Sequence, residues 1–344
     1  MKKILHVIAG ADEGGAEEFF VRLVLALQRR EVPQSVAARI GRYSAALIRA
    51  GLAPTLAPFG GMLDFSTVPR LRRACDAFAP DVVLSWMSRA TQFVSRARGT
   101  RNFVHAARLG GYYDLKYYRG CDHLIGNTPD IVDYLVRQGW AADRAHYIPN
   151  FVDETNAASA RRGDFGTPDD AKLVLAAGRF HPNKAFDVLL RAMAELPGVY
   201  LWLAGDGDEH GNLQELAVDC GVAPRVRFLG WRTDVPALMN ASNALACPSR
   251  IEPFGNVIVE AWARSLPVVA AASAGPSWLI KSGDNGLLAP AGDASALAAS
   301  LRSVLDDDAL ANRLAAAGRA SYQREFGEEA VVRRYLDLFE RIAR

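Results

Sequence analysis

Residues 248–261, PSRIEPFGNVIVEA, set two glutamates eight positions apart around a glycine that opens a helix. Glu252 lies in a turn after the apolar run 243–247, and Glu260 falls on the first turns of the helix after Gly255. Unpaired backbone amides at such a helix start attract phosphate, and a nearby carboxylate can accept hydrogen bonds from a diol. The segment therefore predicts a strand, turn and helix that bind a nucleotide sugar or a similar ligand.

A second segment of the same kind carries two cations. The apolar run 173–177 is followed by Gly178 and Arg179, then by Lys184 and a helical pattern. Side chains on the turn after a strand can reach one point above the sheet edge, where two cations would neutralise a pyrophosphate and stabilise it as a leaving group. A pair of exposed cations that merely cap the loop is the alternative.

Apolar runs of strand length alternate with amphipathic stretches along the whole chain. In the first half the runs are residues 4–9, 35–40, 82–84, 103–107 and 123–125, and in the second half 173–177, 199–204, 226–229, 244–247 and 268–271. Such alternation predicts βα units with parallel strands. Two series predict an α/β protein of two doubly wound, Rossmann-like domains that face a central cleft.

The domain boundaries follow from the same pattern. The chain divides near residues 147–153, and the polar, alanine-rich stretch 154–171 is the expected linker. We predict an N-terminal domain over residues 1–150 and a C-terminal domain over 151–327. The last segment, 328–344, has apolar residues at helical spacing and is predicted to be an amphipathic helix.

Bulk composition indicates a soluble protein of the cytoplasm. The 344 residues are 50% hydrophobic, enough for two cores. No apolar run reaches the roughly 20 residues that span a bilayer, and the N-terminus is too short and strand-like for a signal peptide. The four cysteines lie far apart with no Cys-x-x-Cys pair, so neither zinc nor disulfides are expected.

The net charge of +2 hides an asymmetry. Residues 1–150 carry 20 Lys and Arg against 13 Asp and Glu, so the first half is basic. An anionic membrane surface or a phosphorylated acceptor is a candidate partner for such a half, and an ordinary solvated surface is the alternative. Nucleic acid is not expected as a partner, because no dense Lys/Arg run or binding motif is present.

Several other residues have both a functional and a structural interpretation. Gly14 and Gly15, after the first strand, would let the loop backbone approach a ligand, or would simply form a tight connection. His105 is expected near a strand end where it could contact a substrate, or in the interior. The tyrosine-rich stretch 112–119 suits a membrane interface, an acceptor sugar or the core. Asp206 and Asp208 are interpreted as an acidic helix start rather than a metal site.

Together these positions resemble the retaining nucleotide-sugar glycosyltransferases of family 4, which have the GT-B fold. The resemblance extends over essentially the whole chain. Its main elements are the two glutamates of residues 252–260, the Pro-Val-Val at 267–269, the cations of 178–184 and the Pro-Asn at 149–150.

The resemblance implies roles for individual residues. Arg179 and Lys184 would bind the diphosphate, and Glu252 would contact the donor sugar. Glu260 would bind the ribose, and His105 is the loose match to a histidine on the catalytic side. Further donor contacts are implied at Gly178, Phe254, Gly255 and Asn256, the last three through backbone amides, and Gly14 and Gly15 are implied as the acceptor-side loop. The N-terminal domain would bind the acceptor, the C-terminal domain the donor, and residues 328–344 would form a helix that crosses back to the N-terminal domain.

The resemblance further implies transfer with retention of configuration, by front-face attack, with no metal and no cofactor. The donor would be a UDP- or GDP-sugar, and the acceptor a glycan or lipid-linked glycan of the cell envelope, such as lipopolysaccharide core, a glycolipid or an exopolysaccharide. The enzyme would work at the inner face of the cytoplasmic membrane, as a peripheral protein. A soluble transferase acting on a small phosphorylated acceptor, and a non-catalytic nucleotide-sugar-binding protein, are the alternatives.

Two departures from the family pattern stand in the sequence. Ala185 follows Lys184 where the family usually has glycine. The common Gly-Gly-x-x-Glu becomes Ala-Gly-Pro-Ser-Trp at residues 274–278, so a frequent glutamate is missing. A differently shaped sugar or base pocket is expected from the second change.

Overall fold

The computed structural model describes residues 1–10, 14–61, 63–152, 154 and 157–343. They form two compact units, one of Met1–Phe151 with Gly327–Arg344, the other of Val152–Phe326. Each unit is an open sheet of parallel strands covered by helices, which confirms the predicted fold class.

The first unit contains, among its described residues, seven parallel strands in the order β3-β2-β1-β4-β5-β6-β7. The strands are β1 (Ile4–Ile8), β2 (Gln34–Arg39), β3 (Thr55–Ala57), β4 (Val82–Trp86), β5 (Val104–Leu109), β6 (His123–Gly126) and β7 (Ala145–Tyr147). The helices before the linker are α1 (Gly15–Arg29), α2 (Arg42–Arg49), α3 (Thr67–Phe78), α4 (Met87–Arg98) and α5 (Pro129–Arg137).

The second unit contains, within the part that is described, six parallel strands in the order β10-β9-β8-β11-β12-β13. The strands are β8 (Leu173–Ala177), β9 (Tyr200–Ala204), β10 (Val226–Phe228), β11 (Ala244–Cys247), β12 (Val268–Ala271) and β13 (Leu287–Ala289). The helices are α6 (Phe186–Ala194), α7 (His210–Asp219), α8 (Val235–Ala241), α9 (Asn256–Trp262), α10 (Ala274–Leu279), α11 (Ala294–Asp306) and α12 (Asp308–Ser321).

The strands near the middle of each sheet are buried on both faces, which explains their continuous apolar sequences. Every residue of β1, β4, β11 and β12 is buried. Each sheet reverses its strand order next to its first strand, between β1 and β4 and between β8 and β11. Loops at the carboxyl ends of these strands are the usual ligand-binding positions of the fold. Over the described residues, no helix is both long and apolar enough to cross a membrane.

Helix α13 (Glu328–Ile342) belongs to the first unit, although it follows the second in sequence. Its buried face, including Tyr335 and Phe339, joins the core that α1 forms on one side of the first sheet. Glu328 at its first position pairs with Arg29 and, at 2.6 Å, with Arg30 of α1. The helix therefore completes the core of the N-terminal sheet.

His6 lies in the middle of β1, fully buried, and neither ring nitrogen has a hydrogen-bond partner among the described residues. Burial lowers the pKa of His6 from 6.5 to about 3, and burial likewise lowers the pKa of His146 to about 4. The folded chain thus binds fewer protons than the unfolded chain between these values and 6.5. We expect the free energy of unfolding to fall as the pH drops through that window.

The substitution His6→Leu tests this expectation. It removes a buried polar group without partners, so we expect a gain of about 1 kcal/mol at neutral pH and a smaller loss of stability on acidification. Chemical denaturation of the wild-type and variant chains at about pH 7.5 and about pH 5 measures both effects. Equal losses in the two proteins would show that His6 does not contribute to the acid sensitivity.

Candidate functional site

The loops after β8 and β11 carry the predicted donor residues. The two strands pair in parallel, and the strand order reverses between them. Arg179 and Lys184 follow β8, and Glu252 follows β11. Because ligands of doubly wound sheets bind outside the carboxyl ends of the strands at such a reversal, the topology brings these side chains to the expected ligand position.

The turn after β8 is anchored by one buried side chain and ends in a residue with left-handed backbone geometry. Arg179 is exposed, whereas the neighbouring Phe180 is fully buried. A short 3-10 helix, Pro182–Lys184, leads to Ala185, which adopts the left-handed conformation with φ 54° before α6 begins. Glycine takes this conformation without strain and alanine at a cost of about 1 kcal/mol, so Ala185 begins α6 in a conformation that favours glycine.

Lys184 and Glu252 form an ion pair across the two loops. The Glu252 carboxylate also accepts a hydrogen bond from the Ser249 hydroxyl at 3.4 Å. Burial alone would lower the pKa of the Lys184 ammonium, but the Glu252 carboxylate outweighs it and raises this pKa above its ordinary value. The positive charge of Arg179 lowers the same pKa, so the two cations interact electrostatically. Lys184 is therefore a fixed, protonated cation at neutral pH.

Further contacts join the same two loops. The backbone amide of Ile251 donates to the carbonyl of Asn183 at 3.2 Å. The Arg250 guanidinium donates to both carboxylate oxygens of Asp187, at 2.8 and 2.7 Å, and lowers the pKa of that carboxyl. These contacts fix the distance between the loops, so that the ion pair forms between pre-positioned backbones.

Gly275 supports the Glu252 loop from the side of α10. Its amide donates to the carbonyl of Glu252 at 2.8 Å. A Cβ atom at this position would lie 2.4 Å from the carbonyl oxygen of Phe254 and 2.7 Å from that of Glu252. Only glycine lets α10 pack this closely, which accounts for the glycine retained in the altered 274–278 segment.

Helix α9 begins directly after Gly255, whose φ is 99°. The side chain of Phe254 is buried against Trp278 and Phe326, so only its backbone can face a ligand. Asn256 and Glu260 are partly exposed on this helix. Glu252 thus lies in the loop just before α9, and the partly exposed Asn256 and Glu260 lie on the helix that follows it.

The loop after β9 packs against the turn that carries Arg179. The Gly178 amide donates to Ala204 at 2.9 Å, and the Phe180 amide to the carbonyl of Asp206 at 2.8 Å. The Asp206 carboxylate contacts the Nδ1 atom of His210, the first residue of α7, at 2.9 Å, as expected for an acidic helix start. Among the residues that the structure describes, no group of three His, Cys, Asp or Glu side chains could hold a metal ion.

The predicted acceptor-side loop lies in the first unit, at the start of α1. Gly14 is partly exposed and Gly15 exposed, and the Gly14 amide donates to the Tyr43 hydroxyl at 3.2 Å. The buried carboxylate of Glu17 takes the space that a side chain at Gly14 would need, since a Cβ there would lie 2.3 Å from its Oε2. The glycine therefore makes room for Glu17, a reason that the sequence alone did not indicate.

His105 is an interior residue of β5, which corrects the prediction that it takes part in catalysis. It is fully buried, and its ring nitrogens contact the Ser85 hydroxyl at 2.9 Å and the Gly120 carbonyl at 3.2 Å. Burial lowers the pKa of His105 to about 4, so the ring is neutral. With both nitrogens used inside the fold, the side chain cannot contact a substrate without a rearrangement of the sheet.

The tyrosine-rich stretch divides between surface and core. Tyr118 is fully buried and its hydroxyl lies 3.1 Å from that of Ser88, with Tyr113 half-buried against its ring. Tyr112 and Tyr117 are exposed. Two of the four rings are therefore structural, and the stretch is a weaker candidate for a membrane contact than its composition suggested.

Several residues that organise the site were not identified from sequence. Gly275 and the pair Asp187 with Arg250 act on the two loops through contacts between positions far apart in the sequence, whereas Ser249 contacts Glu252 only three positions along the chain. For Gly275 the sequence did offer one signal, since a glycine between alanine and proline often marks a turn or a position of close packing.

Two family models match the chain in succession. The one described as Glycosyltransferase Family 4 matches residues 13–156. The one described as Glycosyl transferases group 1 matches residues 159–321, which include all the donor residues named above.

Two named relatives match over nearly the full length, and a third matches over a part. The chain is 38% identical over 344 residues to the lipopolysaccharide core biosynthesis glycosyltransferase LpsE of Rhizobium meliloti (strain 1021), with 98% of each chain covered. It is 37% identical over 347 residues to LpsD of the same strain, again with 98% of each covered. A D-inositol 3-phosphate glycosyltransferase of Nocardioides sp. is 38% identical over 263 residues, 69% of this chain and 57% of that one.

Solved structures share the architecture at lower identity. Anabaena Alr3699/HepE in complex with UDP and glucose has a TM-score of 0.86 at 23% identity, covering 99% of this chain and 100% of that one. A glycosyltransferase from Rickettsia africae ESF-5 has a TM-score of 0.91 at 18% identity, covering 99% and 98%. The chain belongs to glycosyltransferase family 4 and has the GT-B fold.

Proposed function

We propose that this glycosyltransferase moves a sugar from a nucleoside diphosphate donor to a glycan of the cell envelope, with retention of configuration and without a metal ion. The observation that carries the donor half is the Lys184–Glu252 ion pair beside Arg179, outside the point where the second sheet reverses its strand order. A site with one cation held by a carboxylate and a second, exposed cation beside it suits an anionic diphosphate joined to a hydroxylated sugar.

In this proposal each residue contacts a defined part of the donor. Arg179 and Lys184 would bind the diphosphate, and Glu252 would accept hydrogen bonds from sugar hydroxyls. The backbone at Gly255 and Asn256 would lie against the sugar and phosphates, and Glu260 would accept from the ribose diol. UDP is the first nucleotide to test, because solved structures of the same fold contain it as a bound ligand.

Catalysis would rest on positioning and charge. As the bond from the anomeric carbon to the phosphate oxygen breaks, negative charge grows on the diphosphate, and two cations already in place lower the energy of that state. The departing phosphate can take the proton of the attacking acceptor hydroxyl on the same face, which gives retention. In the free protein Glu252 neutralises Lys184, so donor binding exchanges one anionic partner of the lysine for another.

The acceptor half of the proposal rests on the full-length relatives. LpsE and LpsD are named for lipopolysaccharide core biosynthesis and match this chain end to end. The D-inositol 3-phosphate enzymes, which represent the alternative of a small phosphorylated acceptor, match a smaller share of both chains. We therefore propose a lipid-linked core glycan as the acceptor, with transfer at the cytoplasmic face of a membrane.

A transfer assay tests the proposal. Purified protein is incubated in EDTA with UDP-, GDP- and ADP-sugars and with core glycolipid acceptors, and NMR reads the anomeric configuration of the product. We expect transfer from one nucleotide class with retained configuration. An inverted product would contradict the front-face mechanism, and activity that requires added manganese would contradict metal independence.

Glu260→Ala tests the assignment of the ribose contact. Loss of a charge-assisted hydrogen bond to the donor should raise the donor KM about tenfold with little change in kcat, because the contact exists both before and during the reaction. Steady-state kinetics at varied donor concentration measure both constants. A fall in kcat at unchanged KM would instead place Glu260 in the chemistry.

A further inference from the structure

Two neighbouring loops of the first unit expose large apolar side chains to solvent. Leu63 and Phe65, in the loop between β3 and α3, are 85% and 79% exposed, and Ile40, directly after β2, is 72% exposed. Strands β2 and β3 pair in parallel, with Arg39 opposite Ala57 at their carboxyl ends. The loops that carry the three side chains therefore start at the same edge of the sheet, after adjacent strands. We call the described residues 39–42, 60–61 and 63–73 the basic tip.

Hydrogen bonds to Asp64 join residues on either side of the two apolar side chains Leu63 and Phe65. Asp64, between Leu63 and Phe65, accepts hydrogen bonds from the amides of Gly60 (2.8 Å) and Thr67 (3.0 Å) and from the Thr67 hydroxyl. These bonds outweigh the desolvation of the carboxyl and lower its pKa. The loop is thus folded around its own acidic residue, while its two largest apolar side chains have no place in the core.

Arginines surround these side chains. The segments of the basic tip contain five arginines and, as their single acidic residue, Asp64. Arg39, Arg72 and Arg73 are exposed. Asp64 is engaged by the loop itself, so the surface offers positive charge around protruding apolar groups. Such a combination matches an anionic lipid surface, whose headgroups attract the arginines while apolar side chains enter the boundary of the acyl chains.

The basic tip also lies on the functional edge of its sheet. The loop with Gly14 and Gly15 follows β1, and the strand order β3-β2-β1 puts it two strands away from the loop after β3, about 10 Å at the usual strand spacing. A lipid surface that contacts the tip would therefore lie near the acceptor-side loop of the same unit.

We propose that the basic tip is a membrane-docking surface that binds anionic phospholipid headgroups and inserts Leu63 and Phe65. This inference rests on the proposed function for its purpose, which is to hold the enzyme beside a lipid-linked acceptor. The tip replaces the tyrosine-rich stretch 112–119 as the membrane contact. Docking here needs no membrane-spanning segment, because headgroup attraction and shallow apolar insertion add up.

Vesicle flotation of the whole protein tests the docking surface. Phosphatidylcholine vesicles with and without phosphatidylglycerol serve as probes at low and high salt. We expect binding that requires phosphatidylglycerol and weakens with salt. The double variant Leu63→Ser/Phe65→Ser should reduce the partition coefficient about tenfold or more, and Arg39→Gln/Arg73→Gln should reduce it about fivefold for each arginine.

A matched control is available on the second unit. Val218 and Arg191 are exposed there, and Val218→Ser/Arg191→Gln makes the same chemical changes away from the tip. We expect this variant to bind vesicles like the wild type. Wild-type binding by the tip variants, or equal binding to vesicles without phosphatidylglycerol, would overturn the inference.

Titration with UDP in solution separates this inference from the proposed function. Tip variants that bind UDP like the wild type but no longer float with vesicles support the docking surface. A wild-type protein that binds UDP and ignores anionic vesicles would overturn the docking surface and leave the proposed function intact. Vesicle binding by a protein that neither binds nucleotide sugars nor transfers sugar would overturn the proposed function and leave the docking surface intact.

Discussion

Replacing Lys184 by alanine is expected to lower kcat about a hundredfold, because it removes one of the two cations that we propose stabilise the departing diphosphate. The donor KM should change less, since the contact strengthens as charge grows on the leaving group. Lys184→Arg keeps the charge but not the compact geometry, so we expect partial activity. Steady-state kinetics of the three proteins measure the series.

Lys172→Ala is the control for this series. Lys172 lies just before β8, at the opposite edge of the sheet, exposed and paired with Asp308 at 3.6 Å. We expect wild-type kinetics, because surface pairs contribute little and no ligand is expected at that edge. If Lys184→Ala behaved like Lys172→Ala, the ion pair with Glu252 would be a structural contact only.

Gly205→Ala is expected to lower the free energy of unfolding by about 3 kcal/mol or more and to reduce turnover as well. Gly205 has φ 155°, and a Cβ there would lie 1.9 Å from the carbonyl oxygen of Gly178. The backbone must therefore move, and the part that moves is the turn that carries Arg179. Chemical denaturation and donor titration measure the two effects.

Gly221→Ala provides the comparison for that glycine. Its φ is also positive, at 68°, but within the described residues no atom lies within 4 Å of the position of its Cβ. We expect a loss of about 1 kcal/mol from backbone strain alone, with unchanged kinetics. Equal losses in the two variants would mean that close packing against Gly178 contributes nothing.

The central part of each sheet was predictable because its strands are buried on both faces and their sequences are continuously apolar. The runs at 173–177, 244–247 and 268–271 became β8, β11 and β12 with the same bounds. Strands β3, β7 and β13 were not predicted. Each is an edge strand of three residues that are mostly only partly buried, so burial imposes little apolar pattern on its sequence.

The position of charged residues after strands was the predictable part of the candidate site. Arg179, Lys184 and Glu252 each follow an apolar run, and parallel topology brings the ends of such runs to one edge. His105 was predicted wrongly by the same reasoning, because its place in β5 put the ring inside the sheet instead of beyond its edge. Gly275 and the Arg250–Asp187 pair depend on contacts between distant segments, which spacing along a chain does not encode.

Calorimetric titration of UDP in EDTA, into the wild-type protein and into Lys184→Ala, tests whether Lys184 binds the diphosphate of the donor. We expect saturable binding at one site per wild-type chain and an affinity lower by about tenfold or more in the variant, since a charge-assisted contact to the diphosphate is lost. Equal affinity in both proteins, or no binding of UDP, GDP or ADP by a folded wild-type chain, would contradict this expectation.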